Sequence, residues 1–277
     1  MEQKQRVIVY IDGFNFYFGL KSNAKWKKYY WLDIVKLFEM FMRPNQELVA
    51  VKYFSAKPDD IDQSLRQNAF FQANRENPKF KLILGKYLKK SITCFKCGNV
   101  IHTHEEKETD VRIATQIIAD AYQKNCDISI VVSADSDMIP AIELATEACQ
   151  KVFVYFPPYQ YSSNLATMGM GKPIHMKQYE TRFRQCLLPD VVHLGKANFD
   201  LQIPKKWKAF QSIWIRNTRY KKGKSVIQSG ISSRITDFSF RLWYFYLFCK
   251  RYCSSGSDCM RCNSSATICR TSARIRL

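Results

Sequence analysis

The sequence predicts an α/β fold in which helices cover both faces of a parallel β-sheet. Short β-branched runs alternate with longer segments whose apolar residues recur at helical spacing. Strands are expected at residues 6–12, 47–55, 80–88, 127–133 and 151–156. Helices are expected at residues 31–42, 59–76, 105–124 and 137–149, with one or two more within 161–186. Because helices separate most of the strands, neighbouring strands are expected to run in the same direction.

Local signals set the limits of the first elements. The first strand is a β-branched run that ends in an acid, Asp12. The helix at 31–42 is followed by Pro44, and the helix at 59–76 is followed by Pro78. Proline cannot continue a helix, so both residues act as stop signals.

The later elements follow the same alternation. The helix at 105–124 carries Val111, Ile118 and Tyr122 on one apolar stripe. The strands at 127–133 and 151–156 are short and rich in valine, isoleucine and phenylalanine, as strands buried on both faces are.

The charge of the chain points to a polyanionic partner. Its 277 residues include 43 lysines and arginines against 24 acids, for a formal charge of +19. Residues 211–277 alone contain 13 basic residues and only two acids. Such an excess concentrates polyanions near the protein and speeds their capture. We therefore expect a nucleic acid as the partner, the alternative being a basic protein without such a ligand.

No segment reads as a signal peptide or a membrane span. Residues 238–249 form the most apolar stretch of the tail, but they are interrupted by Arg241 and too short to cross a bilayer. A cytoplasmic protein without a membrane partner is expected. In that compartment the ten cysteines are expected as thiols or metal ligands rather than as disulfides.

Four acids are expected to meet at one edge of the sheet. Asp12 directly follows the first strand, and Asp135 and Asp137 follow the fourth. Ligands of open parallel sheets bind outside the carboxyl ends of the strands, where the strand order reverses. Asp110 begins the long helix and is expected to enter the same place from the side. Turn formation or helix capping explains any one of these acids alone, but their joint placement favours a site.

Clustered carboxylates favour a metal ion, because without a cation they repel one another. The hard cations Mg²⁺ and Mn²⁺ prefer an all-oxygen environment. Such an ion polarises a phosphodiester and lowers the pKa of water, which is the chemistry of metal-dependent phosphodiester hydrolysis. Asn15 lies three residues after Asp12 and is expected to orient a carboxylate or to bind the scissile phosphate.

Three segments carry a resemblance to a known family. The runs VIVYIDGFNFYFG, EEKETDVRIATQIIADA and ISIVVSADSDMIPAIELA resemble the NYN domain family, in the LabA-like branch of the PIN-like nucleases. The likeness covers roughly residues 5–186. It implies a Rossmann-like (PIN-like) α/β/α sandwich with a central parallel sheet, and cleavage of RNA that depends on Mg²⁺ or Mn²⁺. It also implies a site made of Asp12, Asn15, Asp110, Asp135 and Asp137.

The chain is expected to have three parts. Residues 1–190 form the nuclease domain, which includes a Cys/His insert at 91–104. Residues 191–210 are expected as a linker, and residues 211–277 as a basic tail rich in Cys, Ser and Arg. The tail is expected to add affinity for RNA without contributing to catalysis. In the competing interpretation, residues 238–249 pack on the domain as a helix.

Lysines interleaved with aromatic residues suggest where single-stranded RNA binds, through its phosphates and by stacking of its bases. Trp26, Tyr29 and Tyr30 lie among the first group of these lysines, and the second group flanks the insert. The lysines expected to contact RNA are Lys21, Lys25, Lys27, Lys28, Lys86 and Lys89. The alternative is a solvated lysine face above core aromatics.

The leading function is therefore a metal-dependent endoribonuclease. The second reading is a catalytically idle RNA-binding protein with the same fold. A phosphatase that forms an aspartyl phosphate is disfavoured, since it needs a second acid two residues after the first, and position 14 is Phe14. Cleavage of DNA stays open, because carboxylate-bound metal does not distinguish the two sugars.

The insert is a candidate structural zinc site. Cys94 and Cys97 form a Cys-x-x-Cys-Gly turn that suits zinc, and His102 and His104 follow. The two histidines are closer together than the usual second pair, which leaves the fourth ligand open. A reduced thiol pair is the alternative.

Replacing both Cys94 and Cys97 with serine tests this assignment. We expect the wild-type protein to contain about one zinc ion per chain and the double variant to lose it, since zinc needs the thiolates. Elemental analysis of protein prepared without chelator measures the content. A wild-type protein free of zinc would leave the thiol pair as the remaining interpretation.

Overall fold

The computed structural model describes residues 3–93, 100–195 and 197–211, and in the ranges 86–93 and 101–107 it describes the backbone alone. Cys94 and Cys97 and the side chains of His102 and His104 therefore lie outside the described part. The same holds for the side chains of Lys86 and Lys89 and for the tail beyond residue 211.

The described elements alternate between strands and helices along most of the chain. The strands are β1 Gln5–Asp12, β2 Gln46–Ser55, β3 Phe80–Leu84, β4 Lys86–Thr93, β5 Val100–Lys107, β6 Ile128–Val132, β7 Lys151–Phe156, β8 Ile174–His175, β9 Val191–Leu194 and β10 Phe199–Gln202. The α-helices are α1 Gly13–Lys21, α2 Ile34–Glu39, α3 Ile61–Arg75, α4 Thr109–Tyr122, α5 Ile139–Glu147, α6 Ser163–Ala166 and α7 Glu180–Gln185. Short 3₁₀ helices lie at Ala24–Tyr30, Ser136–Met138 and Met176–Tyr179. A last helical segment spans 205–211.

The central sheet confirms the predicted fold class. Six strands pair in the order β3-β2-β1-β6-β7-β8. All of the pairings are parallel. The strand order reverses between β1 and β6, so the carboxyl ends of these two strands form the switch point at which ligands of such sheets bind.

Two apolar layers make the fold an α/β/α sandwich. Val7, Val9 and Ile11 of β1 pack with residues of α1, α2, α3 and α7 on one face. Ile8 and Tyr10 pack with residues of α4 and α5 on the other. Because side chains alternate along a strand, Asp12 continues the second series and faces the layer of α4.

The structure differs from the sequence prediction around the insert. The expected strand at 80–88 is two strands, β3 and β4, with Gly85 between them. β4 pairs antiparallel with β5, which occupies the beginning of the expected helix at 105–124. α4 therefore starts at Thr109, after a left-handed turn at Glu108 with φ of 75°. A left-handed residue cannot lie inside a right-handed helix, so this turn ends the hairpin and sets the first turn of α4.

Residues 191–210 were expected to form a linker, but in the structure they are folded and packed. β9 and β10 form an antiparallel hairpin, and the segment 205–211 follows it. Leu194, Leu201 and Trp207 are buried in the same apolar layer as α1 to α3. Their spacing follows no single period, and for that reason the sequence reads as irregular although the segment is packed.

Within the described ranges, no helix is both long and apolar enough to cross a membrane.

Replacing Trp207 with alanine tests whether this segment is part of the fold. Trp207 is 9% exposed. Its ring lies 5.7 Å from that of Tyr30 and 6.2 Å from that of Trp31, measured between centroids. Trp207→Ala is expected to lower the free energy of unfolding by about 3 kcal/mol, through the lost burial and the cavity left behind. Chemical denaturation of the full chain measures this.

The matched control is Phe199→Ala in the hairpin that precedes this segment, since Phe199 is 57% exposed. It should change the free energy of unfolding by no more than about 0.5 kcal/mol. Equal effects of the two substitutions would show that the segment does not pack as described.

Candidate active site

Asp12 lies buried where β1 ends and α1 begins. Its Oδ1 accepts hydrogen bonds from the backbone N–H groups of Phe14 at 3.1 Å and Asn15 at 3.0 Å. Its Oδ2 accepts from the side-chain amide of Asn15 and from the hydroxyl of Ser133 at 2.9 Å. Both carboxylate oxygens are thus engaged, and the side chain is only 3% exposed.

Burial and hydrogen bonding act on Asp12 in opposite directions. Burial raises the pKa of its carboxyl group, and the hydrogen bonds from Asn15 and Ser133 lower it, while the charge of Asp135 adds a further rise. The net direction is upward. The Asp12 carboxyl group is therefore harder to ionise here than in water, because the effect of burial exceeds that of the hydrogen bonds.

Gly13 allows this close junction between the strand and the helix. A Cβ atom at this position would lie 2.4 Å from the backbone oxygen of Phe54 and 2.6 Å from the ring of Tyr53. No side chain fits in that space. Because glycine has no Cβ atom, the first turn of α1 packs directly against β2.

Ser133 links the two strands at the switch point. It is fully buried, and its hydroxyl oxygen accepts the backbone N–H of Asp135 at 3.0 Å while it donates to Asp12. Asp135 in turn accepts the backbone N–H of Asp137 at 3.0 Å and caps the 3₁₀ helix that follows. One series of hydrogen bonds thus runs from the end of β1 to Asp137.

Three of the four predicted acids come together above this link. Asp110, Asp135 and Asp137 can each offer a carboxylate oxygen such that all three atoms lie within 4.8 Å of one another. Asp135 is half-buried and the other two are exposed. Asp12 is not in this group, because its oxygens are directed at Asn15 and Ser133.

The electrostatics of the three acids fit a cation. The pKa of Asp110 is raised to about 6, first by burial and then by the charges of Asp12, Asp135 and Asp137. Among the described side chains, none forms an ion pair with Asp110, Asp135 or Asp137. Uncompensated carboxylates at this spacing are the donor set that a hard divalent cation takes.

The lysines expected to bind RNA fall into two groups. Lys28 is buried, and its Nζ lies 3.0 Å from Oε1 of Glu180, so we correct its assignment as a phosphate contact. The neighbouring Trp26, Tyr29 and Tyr30 are buried as well and belong to the core. The exposed or partly exposed lysines of this region are Lys21, Lys25 and Lys27.

Two of the lysines that remain accessible, Lys21 and Lys27, lie near aromatic rings. The Nζ of Lys21 is 5.3 Å from the ring centroid of Phe18, and that of Lys27 is 5.8 Å from the ring centroid of Phe210. Cations beside aromatic faces suit the phosphates and bases of a single strand.

A family model described as NYN domain matches residues 6–167, more than half of the chain. The chain belongs to the NYN domain family. The three acids and Asp12 all lie inside the matched range. Membership confirms the resemblance to the NYN domain family, while the LabA-like branch stays a prediction.

Two similar proteins extend the comparison. The chain is 25% identical over 241 residues to a protein named 6-hydroxy-3-succinoylpyridine 3-monooxygenase HspA from Pseudomonas putida. That match covers 73% of this chain and 75% of the relative. A crystal structure of a protein of unknown function from Vibrio parahaemolyticus shares 21% identity, with a TM-score of 0.41. It covers 60% of this NYN chain and 89% of its own.

An aromatic cavity beside α1 does not follow from the sequence. Its walls include Tyr17 and Phe18 from α1 and Phe70 and Phe71 from α3, with Arg66 among its polar residues. The signal was present in two places: an aromatic run follows Asp12, and the polar segment 61–75 contains the pair Phe70 and Phe71. Only the tertiary fold places these two faces opposite each other.

The substitution Asp110→Asn tests the electrostatics of the acidic group. A folded-state pKa of about 6 lies above the ordinary value of 3.8, so the folded protein binds more protons than the unfolded chain between these values. Wild-type stability should therefore fall as pH rises from about 4 to about 6, and the variant should lack that fall. Above pH 6 the metal-free variant should be more stable, by roughly 1 kcal/mol after solvent screening of this exposed group.

Thermal melts in EDTA across this pH range measure the difference. A repeat with Mg²⁺ should stabilise the wild type more than the variant, because the variant lacks one ligand. Identical pH profiles for the two proteins would contradict the repulsion inferred for Asp110.

Proposed function

We propose that this NYN protein is a metal-dependent ribonuclease that hydrolyses phosphodiester bonds of single-stranded RNA. The observation that supports it most directly is the convergence of Asp110, Asp135 and Asp137, whose ligand atoms lie within 4.8 Å of one another. They do so at the switch point of an NYN domain, where a parallel sheet binds its ligands. We further infer that the chain falls in the LabA-like branch and acts in the cytoplasm.

The three converging acids would hold Mg²⁺ or Mn²⁺. Such an ion supplies positive charge to the phosphate and lowers the pKa of a water molecule. Asp12 acts on this site through Ser133, which holds the backbone of Asp135, and through the series of hydrogen bonds to Asp137. We therefore assign Asp12 a positioning role in place of the expected role as a metal ligand, and Asn15 supports it by fixing the Asp12 carboxylate.

RNA is the substrate that the charges favour. Lys21, Lys25 and Lys27 lie in the segment that follows α1 or at its end, close along the chain to Asp12. The basic tail adds charge that neutralises phosphates wherever it lies.

A catalytically idle RNA-binding protein is the competing function. Such a protein has no need of the acids, and a substitution at any of them would be tolerated. This chain keeps Asp110, Asp135 and Asp137 at ligand spacing and fixes Asp135 with a buried serine. That arrangement favours an active site over a binding surface alone.

The name of the Pseudomonas putida relative describes the oxygenation of a pyridine ring. Mononuclear iron oxygenases use two histidines and one carboxylate with open positions. In the described ranges, the side chains able to hold a metal together are carboxylates only. Hard oxygen ligands suit Mg²⁺ and Mn²⁺, so phosphodiester hydrolysis is the better match to this centre.

Cleavage of labelled single-stranded RNA tests the proposal. We expect wild-type protein to cleave with Mg²⁺ or Mn²⁺ and to stop in EDTA, since the acids act through a cation. Asp135→Asn should lower single-turnover cleavage by roughly 100-fold or more, while Ser133→Ala, which loosens Asp135, should lower it by about 10-fold to 100-fold. Fluorescence anisotropy in EDTA should show RNA affinity largely retained in both.

The matched control is Asp200→Asn, an exposed acid paired with His193 at 2.8 Å. It should cleave at the wild-type rate. If Asp135→Asn also kept that rate, the acidic centre would be in the wrong place. If wild-type protein bound RNA without cleaving it under any divalent cation, the idle binding protein would be the correct function.

A further inference from the structure

A cavity of about 230 Å³ lies beside α1 and is bounded by aromatic residues of α1 and α3. Tyr17, Phe18 and Phe70 contribute rings, and Gln63, Arg66 and Gln67 contribute polar groups. Pockets for drug-sized ligands start at about 300 Å³. This cavity is therefore suited to one ring system together with the groups at its edge.

The cavity and the acids share one edge of the sheet. Gly13, which lines the cavity, directly follows Asp12. Phe14 lines it as well and donates its backbone N–H to Asp12 at 3.1 Å. Ser55, at the end of β2, completes this side, and β2 pairs with β1 so that Phe54 lies opposite Asp12. The cavity and the acids thus meet at the carboxyl ends of β1 and β2, on the two sides of the junction between Asp12 and Gly13.

Arg66 provides a cation at this cavity that no acid among the described side chains neutralises. The residue is half-buried, and within the described residues its guanidinium forms neither an ion pair nor a hydrogen bond. The positive charge of Arg66 opposes the rise in the pKa of Tyr17 that burial causes. An arginine held beside aromatic rings without an acidic partner is suited to a phosphate that a ligand brings.

Gln67 offers a fixed polar edge. Its side-chain N–H group donates to the hydroxyl of Ser55 at 3.1 Å and to the backbone oxygen of Ala56 at 3.2 Å. These two bonds orient the carboxamide, and its oxygen has no donor among the described residues. That oxygen is available to accept from an N–H group of a bound ring.

We propose that this cavity binds one nucleobase of the RNA strand next to the scissile phosphate, with Arg66 on a phosphate of the same strand. The proposal rests on the ribonuclease function and adds to it a place where the substrate base is held. Aromatic walls stack any base, because every base has a π-face, and the amide edge selects among bases by hydrogen bonding. The aromatic residues suit a base, Arg66, which has no ion pair among the described residues, suits a phosphate, and the acids lie at the same edge of the sheet.

Ligand binding without metal tests the proposal independently of cleavage. The probes are 5′-UMP, 5′-AMP, ribose 5-phosphate and nicotinate, titrated into the full chain in EDTA by calorimetry. We expect at least one nucleotide to bind about 10-fold more tightly than ribose 5-phosphate, because the sugar phosphate lacks the ring that stacks. Nicotinate, a ring with a carboxylate but no ribose phosphate, should bind more weakly than that nucleotide.

Two substitutions locate the binding. Arg66→Ala should weaken nucleotide binding by about 10-fold, since it removes the charge beside the phosphate. Arg75→Ala is the matched control: it removes an equal charge from the same helix at an exposed position that does not line the cavity. Tyr17→Leu keeps an apolar side chain and should remove the advantage of a nucleotide over ribose 5-phosphate.

The outcomes separate this proposal from the ribonuclease function. Equal affinity for nucleotides and ribose 5-phosphate overturns the base site, as does tighter binding of nicotinate. Equal effects of Arg66→Ala and Arg75→Ala also overturn it, since the contribution would then be general charge. If RNA is cleaved in an Asp135-dependent way but nucleotides do not bind, only the base site is wrong. If nucleotides bind through Arg66 but no RNA is cleaved, the base site is supported and the ribonuclease function is wrong.

Discussion

The hydrogen bond between Asp12 and Ser133 is the constraint on which the site depends. It crosses from the end of β1 to the end of β6, the two strands between which the sheet order reverses. A buried carboxylate without partners would be costly, and here four donor groups compensate for the lost water. The same contacts begin α1 at one strand and set the backbone of Asp135 at the other. Two of the three converging acids, Asp135 and Asp137, are thus positioned by a carboxylate, Asp12, whose two oxygens are both hydrogen-bonded.

The other three acids lack the compensation that Asp12 has. Asp12 is stabilised by hydrogen bonds that the chain supplies, whereas Asp110, Asp135 and Asp137 face one another without a cation among the described side chains. The fold therefore separates two tasks among four acids of the same type. Asp12 links the ends of the two strands through hydrogen bonds. The other three acids carry negative charge that no described side chain neutralises. Sites that act on ligands are commonly where such unrelieved charge is kept.

The sequence was sufficient for the sheet and most of the acids. Asp12 and Asp135 follow strands whose composition is unambiguous, and parallel strands end at one edge, so their proximity followed from topology. It could not show that Asp12 uses both oxygens on neighbours, because Ser133 is far from it along the chain. Lys28 reads like its exposed neighbours, yet Glu180, over 150 residues away, pairs with it inside the protein. The segment at 191–211 and the cavity at Arg66 were missed for the same reason, since both depend on packing between distant elements.

The parallel register of β1 against β6 limits which changes in chain length the protein can accept during evolution. Ile11 lies opposite Val132, and the acids follow immediately on both strands. Inserting or deleting one residue in either strand would turn every later side chain to the opposite face, so Asp12 would enter the layer of α1 to α3. The hairpin β4–β5 lies outside this sheet and ends before α4. A change in length at that hairpin therefore leaves the register of the strands that carry the acids unchanged.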